Sequence, residues 1–333
     1  MPAVPSAVPS PASAGRLATR PQQVALLGEC MLELQGQAFG TMTQTFGGDT
    51  LNTAVYLARC GARTGVRASY VTALGDDGFS DGLLQRWQAE GVGVQWVRRL
   101  PGRMPGLYLI EVDERGERRF SYWRDSAAAR SLFDAPSTPL EDALDQVDLL
   151  YLSGISLAIL PPPGRERLFA VMQRLRQQGA RVAFDNNYRP RLWPDAAEAR
   201  ACFTRACSLA DLAFITLDDE ALLHGRADPA AAFDLPCAEV VVKRGAASTL
   251  VRAGDGTVFE LPVQPVTPVD TTAAGDSFAG GYLALRLAGA DARAAAAFGN
   301  RLAARVIQHR GALIPQAAMQ DLLPDLPAAG VLA

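Results

Sequence analysis

Short apolar runs alternate with amphipathic segments along most of the chain. The runs are VALLGECMLEL (24–34), SYVTALG (69–75), DLLYLSG (148–154), RVAFDNN (181–187), LAFITL (212–217) and EVVVKRG (239–245). Each run ends in a polar residue or glycine, and several are followed by a helical pattern. Strands that alternate with helices predict a mostly parallel sheet with helices on both faces, and therefore an α/β fold.

Two segments carry the clearest helix signals. In GDTLNTAVYLARCG (48–61), Asp49 or Thr50 can serve as the N-cap, and Gly61 is the expected stop. The segment DDGFSDGLLQRWQAEGV (76–92) predicts a second helix after the strand at 69–75. Both helices would then pack against the predicted sheet.

Two other segments do not fit the strand–helix alternation. LQGQAFGTMTQTF (34–46) and GLYLIEVDERGERRFSYWR (106–124) alternate with period two, as antiparallel strands do. We expect them to form a small β-sheet lid, with strands within 34–46 and 100–125, that projects from a single domain spanning 23–320. Residues 321–333 are expected to be a C-terminal tail.

The first 22 residues differ in composition from the rest. Residues 1–22 are rich in Pro, Ala and Ser and lack the apolar core of a secretory signal, so we expect a disordered tail. Apolar runs of 18 or more residues are also missing, which predicts a soluble, cytoplasmic protein without a membrane partner.

Charge and composition exclude several classes of function. The 333 residues are 49% hydrophobic and 20% charged with a net charge of −3, which argues against a nucleic-acid partner. The dense basic run RGERR (115–119) is interpreted as a solvated hairpin turn. Five cysteines without a CxxC pair indicate reduced thiols, and two histidines give little support to a zinc site or a histidine triad.

Ligands of parallel sheets bind where the strands end at their carboxyl edge. The polar residues at those strand exits are therefore candidates for the site: Asp185, Asn187, Asp218, Glu220, Lys243 and Gly245.

The stretch DTTAAGDSF (270–278) places small residues between two aspartates at the start of a helical pattern. Ala273, Ala274, Gly275 and Asp276 would present successive backbone N–H groups at a helix N-terminus, which favours a phosphate. Asp276 could accept a proton from a substrate hydroxyl during phosphoryl transfer. The alternative is that Asp276 is only a helix-start residue.

The lid segment FSYWR carries a second candidate site. Period two puts Phe120, Tyr122 and Arg124 on one face, and Tyr108 on the preceding strand can add a second phenol. A guanidinium beside aromatic rings suits a small polyol that bears a carboxylate. A surface strand with alternating aromatic residues is the alternative.

Two motifs resemble the ribokinase-like (PfkB) sugar kinases. DTTAAGDSFAGG resembles the C-terminal signature of that family, with Ala273 where the family mostly has glycine, and GGDTLNTAVYLARCGA (47–62) resembles its N-terminal signature. The resemblance implies a ribokinase-like three-layer α/β/α sandwich with a mostly parallel central sheet. A Walker A loop, GxxxxGK[ST], is absent from the sequence.

Further stretches resemble the 2-keto-3-deoxygluconate kinases of that family. They are GECMLEL, PGLYLIEVDERGERRFSYWR, YLSGISLAILPP, FDNNYRPRLW, FITLDDE and VVVKRGA, and the resemblance spans about residues 24–315. It implies ATP-dependent phosphorylation of 2-dehydro-3-deoxy-D-gluconate at the 6-hydroxyl. The alternatives are a fructokinase or ribokinase of the same fold, or an inactive sugar-binding homologue. A dinucleotide-dependent oxidoreductase is disfavoured because no GxGxxG follows the first strand.

The resemblance also implies roles for individual residues. Asp276 would be the base, with the 273–276 amides and Arg189 stabilising the phosphoryl group. The implied substrate-binding residues are Gly48, Asp49, Asn52, Tyr108, Tyr122, Arg124, Arg189 and Asp276. The implied nucleotide-binding residues are Asn187, Arg189, Lys243, Gly245, Ala273, Ala274, Gly275 and Asn300. An N-cap is the alternative role for Asp49.

Cofactors and assembly are implied in the same way. The cofactors would be ATP and Mg²⁺, with a monovalent cation as a further candidate. Glu220 would hold Mg²⁺ indirectly, through water, although TLDDE lacks the Asn of the family's usual NxxE pattern. The implied assembly is a homodimer or a higher homo-oligomer.

Overall fold

A computed structural model describes residues 21–37, 39–112 and 118–329 of the chain. Most of the predicted N-terminal tail, the first three residues of the RGERR run and the last four residues lie outside these ranges.

The main sheet has nine strands in the described residues, in the order β13-β12-β11-β10-β9-β8-β1-β4-β5. Neighbouring strands from β11 to β5 pair in parallel, whereas β12 and β13 are antiparallel at one edge. The strands span β1 Gln22–Leu27, β4 Val66–Leu74, β5 Gly93–Arg99, β8 Leu149–Ser153, β9 Arg181–Asp185, β10 Leu212–Thr216, β11 Glu239–Lys243, β12 Ser248–Arg252 and β13 Val258–Pro262.

Helices cover both faces of this sheet and enclose two apolar cores. One face carries α1 Asp49–Thr64, α2 Gly78–Ala89, α8 Ala274–Leu287 and α9 Ala292–Val306. The other carries α3 Gly154–Ile159, α4 Pro162–Gln177, α5 Ala196–Leu209, α6 Leu217–His224 and α7 Pro229–Ala232. The predicted three-layer α/β/α sandwich with a mostly parallel central sheet is confirmed.

A separate four-stranded sheet forms the lid. Its strands are β2 Met31–Gly36, β3 Met42–Gly47, β6 Gly106–Val112 and β7 Arg118–Trp123, in the order β3-β2-β6-β7. The pair β2–β6 is parallel and the other two pairs are antiparallel. The small β-sheet lid is therefore confirmed, and it begins at Met31, three residues earlier than the sequence predicted.

The apolar run 24–34 is two strands in different sheets, not the single strand that its pattern suggested. The strand β1 lies in the main sheet, and Gly28 still donates its N–H to Val71 of β4. The chain then leaves the sheet through Glu29 and Cys30 and enters the lid as β2. Glu29 therefore lies at the junction of the two sheets, at a strand exit that the sequence pattern concealed.

Helix α1 is longer than its sequence signals indicated. It runs through Gly61 and ends at Gly65, which has the left-handed φ of 76° that glycine adopts readily. Gly61 is needed for close packing instead, because a Cβ there would lie 2.1 Å from the carbonyl oxygen of Val66. The N-cap is Gly48, and no side chain caps the helix.

The C-terminal residues 321–329 pack on the domain. Leu322 and Leu326 are buried. Arg63 at the end of α1 donates to the carbonyl of Leu326, and its own carbonyl accepts from Ala329 N–H. This part of the predicted tail is thus attached to α1.

Two expectations from composition concern the whole chain. All five cysteines are free thiols. No helix in the described part of the chain has the length and apolar character needed to cross a membrane.

Candidate active site

The predicted site residues meet at the carboxyl edge of the main sheet. Asp185 ends β9 and Lys243 ends β11, while Asp49 is the first residue of α1 and Asp276 the third residue of α8. The parallel arrangement brings these strand and helix ends to one edge. The lid strands extend from the same region, because β2 follows directly from β1.

The loop before α8 has the geometry that the sequence suggested for an anion site. Ala273 is the N-cap residue and adopts a left-handed conformation with φ 61° and ψ 17°, and no side chain caps the helix. Asp270 holds the loop in place. Its carboxylate accepts hydrogen bonds from the N–H and Oγ1 of Thr272 and from Gly311 N–H. The Ala274 N–H donates to the Thr271 carbonyl at 3.3 Å, and the lack of a side-chain cap leaves the N–H groups of Gly275 and Asp276 available to an anion.

Asp276 is not a capping residue, and its carboxylate faces the cleft. Its Oδ2 accepts from Asn52 Nδ2 at 2.9 Å. The pKa of Asp276 is raised from 3.8 to about 7, mainly by burial and also by the negative charges of Asp49 and Asp185, which together outweigh the lowering effects of Asn52 and Lys243. The carboxyl can therefore exchange a proton near neutral pH.

Asp49 also faces the cleft and does not cap α1. Its Oδ2 accepts from Asn187 Nδ2 at 2.6 Å. Asn187 has a positive φ of 22°, and its N–H is held by the side chain of Asn186. The structure thus brings a predicted nucleotide-binding residue, Asn187, into contact with a predicted substrate-binding residue.

Lys243 lies against both a carboxylate and the anion loop. Its Nζ is 2.7 Å from Asp185 Oδ2 and 3.2 Å from the place that a Cβ on Gly275 would occupy. The neighbouring Gly245 has a left-handed φ of 60° and open space beside it. A positive charge is therefore held next to the N-terminus of α8.

Arg189 is the more exposed cation of the cleft. Its side chain is 51% exposed, and it donates to the Tyr188 carbonyl at 2.8 Å and to Asp219 at 3.4 Å. Burial raises the pKa of Asp219 in spite of this guanidinium. Because its ion pair is long and its side chain half exposed, Arg189 can turn toward an anionic ligand.

Both carboxylate oxygens of Glu220 lie close to polar groups of the protein. Glu220 Oε1 accepts from Asn186 Nδ2 at 3.1 Å, and its other oxygen lies 3.5 Å from His224 Nε2. No cluster of three His, Cys, Asp or Glu side chains suited to a metal occurs in the described ranges. These residues fit an Mg²⁺ held through water and phosphate oxygens rather than by a protein cage.

One face of the lid is aromatic. Tyr122 stacks on Tyr108 at 5.9 Å and on Phe120 at 6.3 Å, between ring centroids. This is the face that period two predicted for Phe120 and Tyr122. The hydroxyl of Tyr108 donates to Glu33, a lid carboxylate that the sequence reasoning did not single out.

Arg124 forms an ion pair with Glu29, the residue between β1 and β2. Glu29 is 2% exposed, and its Oε1 has no hydrogen-bond partner. Burial raises the pKa of Glu29, while Arg124 and Arg130 lower it. Sequence reasoning missed Glu29 because the run 24–34 looked like one strand. Glu29 follows the end of β1, so it would have been a candidate as a polar residue at a strand exit if the end of β1 had been known.

The remaining predicted residues have packing roles in the structure. Gly48 must be glycine, because a Cβ there would lie 2.2 Å from the carbonyl oxygen of Glu29. Asn300 on α9 is buried and accepts from Thr249 Oγ1 at 2.7 Å, with its Nδ2 unpartnered.

The sequence matches the pfkB family carbohydrate kinase profile over residues 21–318. It is 46% identical over 308 residues to the 2-dehydro-3-deoxygluconokinase of Escherichia coli strain K12, which covers 90% of this chain and 99% of that protein. The protein of the same name from Dickeya dadantii is 45% identical over 314 residues, with 90% and 98% covered.

Solved structures agree with this relationship. Aminoimidazole riboside kinase from Salmonella enterica, complexed with aminoimidazole riboside and an ATP analog, has a TM-score of 0.75 and 25% identity, covering 92% of this chain and 100% of that one. A PfkB protein from Polaromonas sp. JS666 has a TM-score of 0.75 at 24% identity, covering 90% and 98%, and supports the fold. The chain belongs to the pfkB family of carbohydrate kinases.

Proposed function

We propose that this kinase transfers the γ-phosphoryl group of ATP to the 6-hydroxyl of 2-dehydro-3-deoxy-D-gluconate. The products would be 2-dehydro-3-deoxy-6-phosphogluconate and ADP. The substrate follows from relatives of that name at 45–46% identity over 90% of the chain. The observation that carries the chemistry is Asp276, a carboxyl with a pKa of about 7 in the first turn of α8.

Asp276 is the base in this proposal. It accepts the proton of the 6-hydroxyl as that oxygen forms its bond to the γ-phosphorus, and the bond from phosphorus to the leaving ADP oxygen breaks. The N–H groups of residues 273–276 and the N-terminal dipole of α8 stabilise the charge on the phosphoryl oxygens. Arg189 adds a mobile positive charge from the facing loop.

The nucleotide would lie along the ends of β9 and β11. Asn187, Lys243 and Gly245 line that side of the cleft, and Asn300 lies on α9 behind β12. Mg²⁺ neutralises phosphate charge when bound, and Glu220 would hold it through water. The binding of an ATP analog by the Salmonella relative supports ATP as the donor.

The sugar would lie between the start of α1 and the lid. The backbone at Gly48 and the side chains of Asp49 and Asn52 would bind its hydroxyls. Arg124 would bind the carboxylate with guanidinium donors that Glu29 does not occupy, beside Tyr108 and Tyr122. Glu29 would fix the guanidinium in place, because a buried carboxylate needs its counterion.

A substrate panel tests this function. Steady-state kinetics with 2-dehydro-3-deoxygluconate, its galactonate epimer, fructose and ribose should give the highest kcat/KM with one of the two sugar acids. Relatives named fructokinase are about 30% identical, so fructose is the competing substrate. A higher kcat/KM for fructose than for both acids would contradict the proposal.

The lid also supports a proposal about assembly. Its outer strands β3 and β7 each lack a second neighbouring strand among the described residues, and Trp123 on β7 is 59% exposed. We propose that two lids pair to form a homodimer. Light scattering should give about twice the mass of the 35.4 kDa chain, and a monomeric mass would contradict it.

A further inference from the structure

A buried ion pair lies beside the phosphate-binding loop. Asp185 is 4% exposed, and the side chain of its partner Lys243 is 12% exposed. The Nζ of Lys243 lies 2.7 Å from Asp185 Oδ2 and 3.2 Å from the place of a Cβ on Gly275. The pair thus reaches from the sheet to the N-terminus of α8.

The core beneath the pair fixes Asp185 in one orientation. The buried phenol of Tyr151 donates to Asp185 Oδ2 at 3.3 Å and is itself contacted by Thr53 Oγ1 at 3.4 Å. Lys243 Nζ also lies 5.8 Å from the centre of the Phe214 ring, which favours the ammonium form. The ammonium is therefore held in place rather than free to follow a ligand.

We propose that Lys243 is a catalytic residue that contacts the transferring phosphoryl group beside Gly275, and that Asp185 is the positioning residue that holds its ammonium there. This inference rests on the proposed phosphoryl transfer and adds to it a fixed cation beside the γ-phosphate, next to Gly275. A glycine at 275 leaves the space through which the ammonium reaches the phosphoryl oxygens.

The chemistry balances without a further reactant. The acceptor oxygen bonds to the γ-phosphorus, its proton passes to Asp276, and the electron pair of the broken bond leaves on ADP. Lys243 stays protonated throughout and offsets negative charge on the phosphoryl oxygens. Asp185 keeps its charge as the counterion that makes a buried ammonium tolerable.

The same pair acts on the base from a short distance. The negative charge of Asp185 raises the pKa of Asp276, and the positive charge of Lys243 lowers it. Asp49 on α1 also raises it, and Asn52 lowers it by donating a hydrogen bond. Removing either member of the pair should therefore shift the acid limb of the pH–rate profile, in opposite directions.

The first test compares rates. Lys243→Met should lower kcat by about 10²–10³-fold, the range for loss of one transition-state donor. Asp185→Asn should lower kcat by about 10–100-fold with a smaller change in KM, because the ammonium loses its position. Arg244→Met is the matched control, since Arg244 pairs with Ser248 and Glu260 away from the cleft. It should retain wild-type kcat.

The second test separates catalysis from stability. The double variant Asp185→Asn/Lys243→Met removes both charges and should recover much of any stability that Asp185→Asn loses, because no buried charge is left unpaired. It should stay as inactive as Lys243→Met alone. A double variant with wild-type kcat would show a structural pair and overturn the proposal.

The third test uses the pH dependence of kcat/KM. The acid limb should move to lower pH in Asp185→Asn and to higher pH in Lys243→Met. Identical limbs in both variants and the wild type would contradict the placement of the pair beside Asp276. All three tests use whichever sugar the wild-type enzyme phosphorylates fastest, so a different preferred sugar would refute the proposed substrate without deciding the role of Lys243.

Discussion

At the scale of single residues, the cleft gathers more negative charge than it neutralises. The carboxylates of Asp49, Asp185 and Asp276 lie near each other, and Lys243 is the buried cation among them. Like charges at short range make the last proton hard to lose. The helix N-terminus alone would favour an ionised Asp276, and burial with two neighbouring carboxylates outweighs it.

The activity should depend on the protonation of Asp276. In the enzyme without ligands the pKa of Asp276 is about 7. Below that pH, kcat/KM should fall about tenfold per pH unit as the base becomes protonated. Asp276→Asn should lower kcat by about 10²–10⁴-fold. Both are measured in a coupled assay for ADP release. Near-wild-type turnover by the variant would exclude Asp276 as the base.

Substitution of Arg124 tests whether this residue binds the substrate carboxylate. Arg124→Lys keeps a counterion for buried Glu29 but loses the planar fork that binds a carboxylate with two hydrogen bonds. KM for 2-dehydro-3-deoxygluconate should rise about tenfold. KM for fructose should change less than about twofold, because a neutral sugar has no carboxylate to bind. Equal changes for both sugars would show that Arg124 only ties the lid to β1.

At the scale of helices and strands, close contacts place the catalytic side chains. Helix α1 carries Asp49 and Asn52, and its far end packs against the strand β4 that follows it. Gly61 allows that contact, since a Cβ there would be 2.1 Å from the Val66 carbonyl oxygen. The position of the active-site end of α1 thus depends on a glycine three turns away.

Gly61→Ala should therefore weaken both stability and activity. The helix must shift, and overpacking of this kind costs about 1–3 kcal/mol in the free energy of unfolding. Gly78→Ala is the control, because nothing lies within 4 Å of a Cβ there, and it should be neutral or stabilising. Urea denaturation of both variants gives the comparison. A Gly61→Ala variant as stable as Gly78→Ala would show that α1 can shift without cost.

These elements show what the sequence could and could not predict. The buried strands after residue 148 were predicted with nearly correct bounds, because a short apolar run that ends in a polar residue fits few structures other than a buried strand. The pattern failed at Gly28–Cys30 and at Gly61, where tertiary contacts decide. A continuous apolar run does not reveal that it crosses between two sheets, and a glycine in a helix looks like a stop until its neighbour is known.

The candidate site was likewise predictable from local sequence patterns but not where tertiary contacts decide. The cleft position of Asp276 and Asp49 was predicted from a motif and from helix starts. The pairing of Arg124 with Glu29 was not, because it joins residues 95 apart in sequence across two sheets. Long-range partners of this kind come from the fold and not from local pattern. Glu33, which holds Tyr108, was missed for the same reason.

At the scale of the whole molecule, the active-site carboxylate of Asp276 should lower the free energy of unfolding. The pKa of Asp276 is raised from 3.8 to about 7 on folding, so the folded protein binds this proton more tightly than the unfolded chain. The stability contributed by this group therefore falls as pH rises from about 4 to 7, and stays low above 7. An active carboxylate is thus held at the expense of folding free energy.

Asp276→Asn should make the protein more stable although it lowers turnover. Asparagine has the same shape, can still accept from Asn52, and carries no charge against Asp49 and Asp185. The gain should be on the order of 2 kcal/mol at pH 8 after solvent screening, less than half of that at pH 5, and near zero at pH 4. Denaturant unfolding at these three pH values measures it, with Asp234→Asn at an exposed position outside the site as the control. A gain that is the same at pH 4 and pH 8 would mean that the carboxylate of Asp276 is not destabilised by its neighbours, and the pH dependence of turnover would then need another group.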